Sequence, residues 1–251
     1  GSNPVKSDYP IESGWPTRMT NRAVRGLELL NANTSISFDD FNAIKHDNAY
    51  SPRYRGYAYL SSVAQLEPDD PEESQALSLI RNWDLHTDTS NRSAALGVCV
   101  LLEEWQAERS GSALPDARET LHTCMDSVRD VAGQLDPEWG TVQQHGRGQR
   151  TWPAAGGPDT LRAMYAEQLE DEDDFLTVVA GDGLYYLIEW NAEGEQTIRG
   201  THQYGSQMTD ETSPHYLDQA EPFSQEIMRD PGFDPDNRSA ISKRYTVSSA
   251  D

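Results

Sequence analysis

Lysine is almost absent from this chain. Lys6, Lys45 and Lys243 are the only three in 251 residues, and arginine supplies the rest of a small basic complement. Twenty Lys and Arg face 42 Asp and Glu, a formal net charge of −22. Such a chain repels polyanions, which excludes nucleic acid and anionic membrane surfaces as partners. Many acids with few lysines is also a composition found in salt-adapted proteins. Long apolar runs are missing too: no stretch of about 18 apolar residues occurs, so no helix spans a membrane. Cysteine is limited to Cys99 and Cys124. Each sits in an apolar helical context, where a buried free thiol is the default expectation. A disulfide is the alternative if the two helices pack side by side. No G-x-S-x-G, H-E-x-x-H, Walker loop or C-x-x-C occurs, and the six histidines (46, 86, 122, 145, 202 and 215) show no ligand spacing. Gly181-Asp182-Gly183 lacks the following helix and lysine of a phosphate loop. The acidic runs at Asp69-Asp70 and 171–174 do not follow the EF-hand pattern.

What is present centres on residues 175–205. A short β-rich run, 175–180, is broken by Gly181-Asp182-Gly183 and followed by a second run at 184–190. Asn191-Ala192-Glu193-Gly194 reads as a hairpin turn and 197–203 as a third strand. Leu184, Tyr186 and Ile188 alternate with Tyr185, Leu187 and Glu189, a pattern that predicts a strand buried on both faces. Two or three strands do not make such a sheet alone, so its other strands are expected from outside this chain.

The remainder divides into an irregular lead-in over 1–17, a helical region over 18–138, a mixed β/α region over 139–230 and a polar tail over 231–251. Apolar Val24, Leu27 and Leu30 predict a helix after Thr20-Asn21-Arg22; Ser37 caps a second, with Phe38, Phe41 and Ile44 on one face. Further helices are predicted over 54–66, 72–83, 92–109 and 115–135. The fifth, around AALGVCVLL, is apolar enough to be buried. From Trp139 the hydrophobic period changes. Short β-prone pieces mix with Gly and Pro, Gly156-Gly157-Pro158-Asp159 precedes a short helical segment at 160–165, and a last helix starts near Pro214 with Tyr216, Leu217, Phe223 and Ile227 on its buried side. The fold class is α+β: a helical layer, then a few antiparallel strands and a C-terminal helix.

Three stretches, in order, carry a resemblance. TNRAVRGLELL with SFDDFNAIKHDNAYSPR, WGTVQQHGRG with WPAAGGPDTLRAMY, and AGDGLYYLIEW with IRGTHQYGSQ and SPHYLDQAEPF resemble the later half of the β subunit of penicillin acylase-type enzymes. The closest flavour is the branch acting on N-acyl homoserine lactones, aculeacin-like lipopeptides and related long-chain amides. The resemblance implies an N-terminal nucleophile hydrolase with an αββα sandwich, made by self-cleavage of a precursor and placed in the periplasm or secreted. It implies hydrolysis of an N-acyl amide to a carboxylate and an amine by an N-terminal serine that lies outside this chain, so that this chain alone is inactive. An oxyanion asparagine is expected upstream as well, Asn3 being a poor match. Arg22 stands where the family places its active-site arginine. No cofactor is implied for the chemistry, and a structural calcium is allowed for in the full enzyme; Asp8 and Glu12 fall near its ligands. His215, Tyr216 and Asp218 match a recurrent C-terminal pattern, read as packing and hydrogen bonding. The implied partners are the remaining β-subunit segment, the α subunit of the same precursor and a small N-acyl amide substrate. Gly1-Ser2 has the form of a cloning remnant. The alternative, from the residues alone, is a non-catalytic ligand-binding or interaction module that folds by itself.

Overall fold

The computed structural model describes residues 19–170 and 173–231. They fall into two compact units that divide after Gly183. In the first unit six helices come first: α1 (Asn21–Ala32), α2 (Phe38–Lys45), α3 (Gly56–Ala64), α4 (Pro71–Asn82), α5 (Ala94–Ser110) and α6 (Ala117–Ala132). A four-residue turn of helix, α7 (Trp139–Val142), leads into the strands β1 (Gln143–Arg147), β2 (Arg150–Pro153), β3 (Met164–Glu167) and β4 (Leu176–Gly181).

Local chemistry sets the helix boundaries. Ser37 and Asp40 form a reciprocal capping box on α2. Asp70 accepts from the backbone of Glu72 and Glu73 with Pro71 in the first turn of α4, and Asp116 caps α6, which stops at Gly133 in the left-handed conformation. The core forms where α5 is enclosed by α3, α4 and α6. Val63, Leu77, Leu96, Val100 and Leu121 are completely buried there. Gly97 permits the closest approach: a Cβ at this position would lie 2.1 Å from the Trp83 ring.

Cys99 and Cys124 join α5 to α6 as a disulfide, with Cα atoms 5.7 Å apart. This corrects the expectation of buried free thiols. The two helices do pack side by side, which brings the cysteines within bridging distance. The bridge closes a loop with a sequence separation of 25. Loop-closure entropy for a loop of this size is about 3 kcal/mol, so Cys99→Ala/Cys124→Ala is expected to lose about that much stability, read from urea unfolding with m fitted for each protein, since loss of the cross-link expands the denatured state and raises m.

A second staple ties α4 to α6. Glu73 is buried, and its carboxylate accepts from the Asp69 backbone N–H (2.8 Å), His122 Nε2 (2.6 Å) and Arg118 Nη1 (2.6 Å). The Asp69 N–H, then His122 and Arg118, hold its pKa down at about 2. A carboxylate with a depressed folded pKa stabilises the fold fully above its unfolded value of about 4.5, and that contribution is lost as pH falls through about 2. Glu73→Gln should therefore be less stable than wild type at neutral pH, and the difference should shrink between about pH 4.5 and 2. Urea titrations of both proteins at several pH values read this; a difference independent of pH would show that Glu73 does not act through its charge.

The first unit's sheet has the order β2-β1-β4-β3. β1 pairs antiparallel with β2 and parallel with β4, while β3 pairs antiparallel with β4. The expected set of antiparallel strands is thus corrected by one parallel pair. The short helix expected at 160–165 is also corrected. Gly157 and Thr160 form a turn through the Thr160 hydroxyl, and Met164 begins β3.

The second unit contains a hairpin of β5 (Tyr185–Trp190) and β6 (Gln196–Thr201) and a short α8 (Ala220–Ser224). The predicted turn is present: Asn191 Oδ1 accepts from the backbone of Glu193 and Glu195, closing β5 onto β6 with Trp190 opposite Gln196. β4 and β5 belong to different sheets, so the three predicted strands are not neighbours in one sheet. Burial on both faces of β5 is corrected as well. Leu187 is buried, but Tyr186, Ile188 and Trp190 on the opposite face are 40, 44 and 60 % exposed. The last helix begins at Ala220 rather than near Pro214, because residues 211–219 form turns; Phe223 is buried and Ile227 exposed. On α1 and α2, Leu27, Leu30 and Phe41 are exposed, against the apolar faces expected of them.

Candidate active site

The start of α1 is fastened to the loop before β3. Thr20 caps the helix, its hydroxyl accepting from the Ala23 backbone at 3.2 Å. Asn21, the first helical residue, is completely buried. Its backbone N–H donates to Asp159 Oδ2 (2.7 Å), and its side-chain amide donates to the Ala49 (3.1 Å) and Asp159 (3.0 Å) carbonyls. Its Oδ1 accepts from the Ser51 backbone at 2.9 Å. One side chain thus joins three separate segments.

Asp159 is the counterpart of this helix start. Its φ of 60° puts it in the left-handed region, which Asp tolerates better than most side chains. The carboxylate accepts from the Asn21 and Arg22 backbone N–H groups, where the helix dipole favours negative charge. Burial nevertheless outweighs these bonds and the nearby Arg22 charge, and raises its pKa above the usual carboxylate value. Tyr50 supports the same loop, donating to the Pro158 carbonyl at 2.6 Å, and its burial pushes the phenol well above its ordinary pKa.

Arg22 lies half-buried beside this carboxylate. Its Nη2 donates to the Tyr165 hydroxyl (3.2 Å), which also accepts from the Asp159 backbone N–H (3.3 Å). Tyr165 is backed by Trp105, with ring centroids 6.2 Å apart, and Arg109 lies over the other ring at 5.1 Å. The guanidinium is therefore anchored at one edge. Its Nε is buried and has no hydrogen-bond partner among the described residues. A buried, unpaired donor costs about 1–3 kcal/mol, so this atom is set to donate to a further group.

Behind Asp159 an aromatic crevice is walled by Tyr50, Tyr54 and Trp105. Tyr54 donates to Glu104 Oε2 at 3.3 Å, and burial pushes its pKa up to about 12, so it stays a neutral donor. Arg55 bridges Glu104 and Glu108 next to it. Further charge gathers around Asp182, which accepts from Lys45 Nζ (2.5 Å) and from the buried Arg162 (3.3 Å). Burial lowers the Lys45 pKa despite this carboxylate, and it lowers His46 to about 4. Asp182, read from sequence only as a strand breaker, is thus an ion-pair anchor for α2.

Of the residues singled out by sequence, Arg22 is at the centre of this cluster. Asn3, Asp8 and Glu12 lie outside the described residues. His215 Nδ1 and Asp218 Oδ2 are 3.0 Å apart in the second unit, and Tyr216 reaches Glu211 at 3.5 Å. Among the described residues no group of three or more His, Cys, Asp or Glu side chains is placed to hold a metal ion. Sequence reasoning missed Asn21, Asp159 and Tyr165. The available signal was Gly-Gly-Pro-Asp, a strong turn sequence with an acid at its end.

An anchored arginine with a spare buried donor, next to a helix start, can orient a partner amide or carbonyl but supplies no nucleophile. Comparison with protein families gives a match to penicillin amidase over residues 2–240, so the chain belongs to the penicillin amidase family.

Proposed function

We propose that this chain forms the later part of the β subunit of an N-acyl amide hydrolase, within an αββα sandwich completed by other segments of the same precursor. An N-terminal serine from such a segment attacks the amide carbonyl, and its own α-amino group takes the hydroxyl proton. The amine leaves with that proton, and water then hydrolyses the acyl-enzyme to a carboxylate. Arg22 takes no part in bond making; it fixes the side chain that holds the oxyanion. The Arg22 Nε carries this reading, since it is a buried donor with no partner among the described residues.

Two further observations support it. Leu27, Leu30, Phe41, Tyr186, Ile188 and Trp190 are exposed, as expected where further polypeptide packs. A module folding by itself would cover its sheet. The Cys99–Cys124 disulfide suits an oxidising compartment, in line with a periplasmic or secreted enzyme.

The resemblance favours long-chain N-acyl amides as substrates. The test is amine release by the full protein from N-acyl homoserine lactones with short and long acyl chains, and from an acylated lipopeptide. Release that increases with chain length is the expected result. No amine release from any of these substrates by a correctly processed enzyme would overturn the assignment.

A further inference from the structure

The second unit contains a half-open cavity, mainly apolar with a few polar groups, that the amide hydrolase reading does not use. It measures about 210 Å³ and is bounded by Leu184, Tyr186, Thr201, Ser206, Gln219 and Arg229. Gly200 creates it. This residue pairs with Tyr186 in the hairpin and, through two backbone hydrogen bonds of 2.8 and 2.9 Å, with Arg229. Paired residues of antiparallel strands share a face, so Tyr186, Gly200 and Arg229 form one row. A Cβ at Gly200 would lie 2.3 Å from the Tyr186 ring; without one, the ring lies over the glycine backbone.

Three polar side chains around this cavity, Gln219, Thr201 and Arg229, make no side-chain hydrogen bond or ion pair among the described residues. Gln219 is 8 % exposed, yet its side-chain amide makes no hydrogen bond among the described residues. The amide is not sealed in the protein either, so it opens on the cavity it lines. Thr201 is 4 % exposed and its hydroxyl is in the same position. Arg229 forms no ion pair among the described residues, in a chain with 22 excess negative charges. An amide open to the cavity is hydrated when the cavity is empty, and a ligand that donates or accepts in the same place replaces that water.

We propose that this cavity binds a small carboxylic acid with an apolar substituent. The planar guanidinium of Arg229 takes the carboxylate through two parallel hydrogen bonds. Gln219 and Thr201 donate to the remaining lone pairs, and Leu184 and Tyr186 wall the substituent. The volume suits a molecule of the size of benzoate.

The test is calorimetric titration of the intact protein with benzoate and with benzamide, its neutral isostere. Benzoate is expected to bind, and benzamide about tenfold more weakly or not at all, the loss of one charge-assisted pair. Arg229→Met is exposed and should fold; it should weaken benzoate about tenfold or more. Gln219→Glu keeps the size of the side chain and sets a like charge against the ligand, so it should do the same, with folding checked by circular dichroism. Arg22→Ala should leave benzoate binding unchanged, separating this site from the active site. Equal binding of benzamide, or benzoate binding insensitive to both Arg229→Met and Gln219→Glu, would overturn the proposal. Absence of benzoate binding, with Arg229→Met lowering the melting temperature, would also overturn it and assign the cavity to a carboxylate of the polypeptide.

Discussion

Arg22→Ala in the full enzyme is expected to lower kcat on an N-acyl amide by about 10²–10³-fold, the range for losing one preorganised oxyanion donor. Among the described residues the side chain makes one hydrogen bond, to Tyr165, and losing it costs the fold about 1 kcal/mol. Its electrostatic role is larger. A guanidinium beside the nucleophile favours the neutral form of a nearby amine, the form that accepts a proton, and its fork holds an amide by directional bonds. Arg22→Lys keeps the charge and loses the fork, so its activity should fall between wild type and Arg22→Ala. Tyr165→Phe frees the guanidinium without changing charge and should give a smaller loss, in kcat rather than KM. These values are read from kcat on a chromogenic acyl amide, with processing checked by mass and folding by circular dichroism. An Arg22→Ala enzyme that folds, self-processes and turns over at the wild-type rate would reduce Arg22 to a helix-end residue.

The helices were legible because each combines a period with a cap. Asp70-Pro71 and Asp116 start helices by local chemistry, and AALGVCVLL is buried in whatever tertiary structure accepts it. Strand partners were less legible. The alternation of 184–190 correctly gave a strand, but burial on each face depends on layers packed against it, which no local pattern encodes. The same holds for Leu27 and Leu30, whose helical spacing is real but whose covering layer is not among the described residues. Residues 160–165 read as helix from composition, yet the Thr160 hydroxyl bonds to the Gly157 N–H and carbonyl and closes a turn instead. The disulfide depended on α5 and α6 being neighbours, a tertiary fact.

The site follows the same division. Arg22 was singled out by the resemblance of Thr20-Asn21-Arg22 to a family stretch, whereas Asp159 and Tyr165 are 137 and 143 residues further along and meet it only in the fold. Asn21 makes this dependence measurable. Asn21→Ala would strip partners from the Ser51 N–H and from the Ala49 and Asp159 carbonyls in a completely buried position. Each buried group left unpaired costs about 1–3 kcal/mol, and partial relaxation sets the expected total at about 3–5 kcal/mol. Asn21→Asp should not rescue the loss. It keeps the acceptor for Ser51 but loses the amide donor and adds a negative charge next to Asp159, whose pKa burial has already raised. Because Asn21 sets the start of α1, it also sets where Arg22 points. Stability should therefore fall first, and, on the proposed role of Arg22 in holding the oxyanion group, kcat in the remaining folded enzyme should fall with KM nearly unchanged. Urea midpoints and steady-state kinetics at a temperature where the variant is fully folded separate the two effects. An Asn21→Ala protein with wild-type stability would show that water replaces the lost partners. One with lowered stability and unchanged kcat would show that the helix start does not position Arg22.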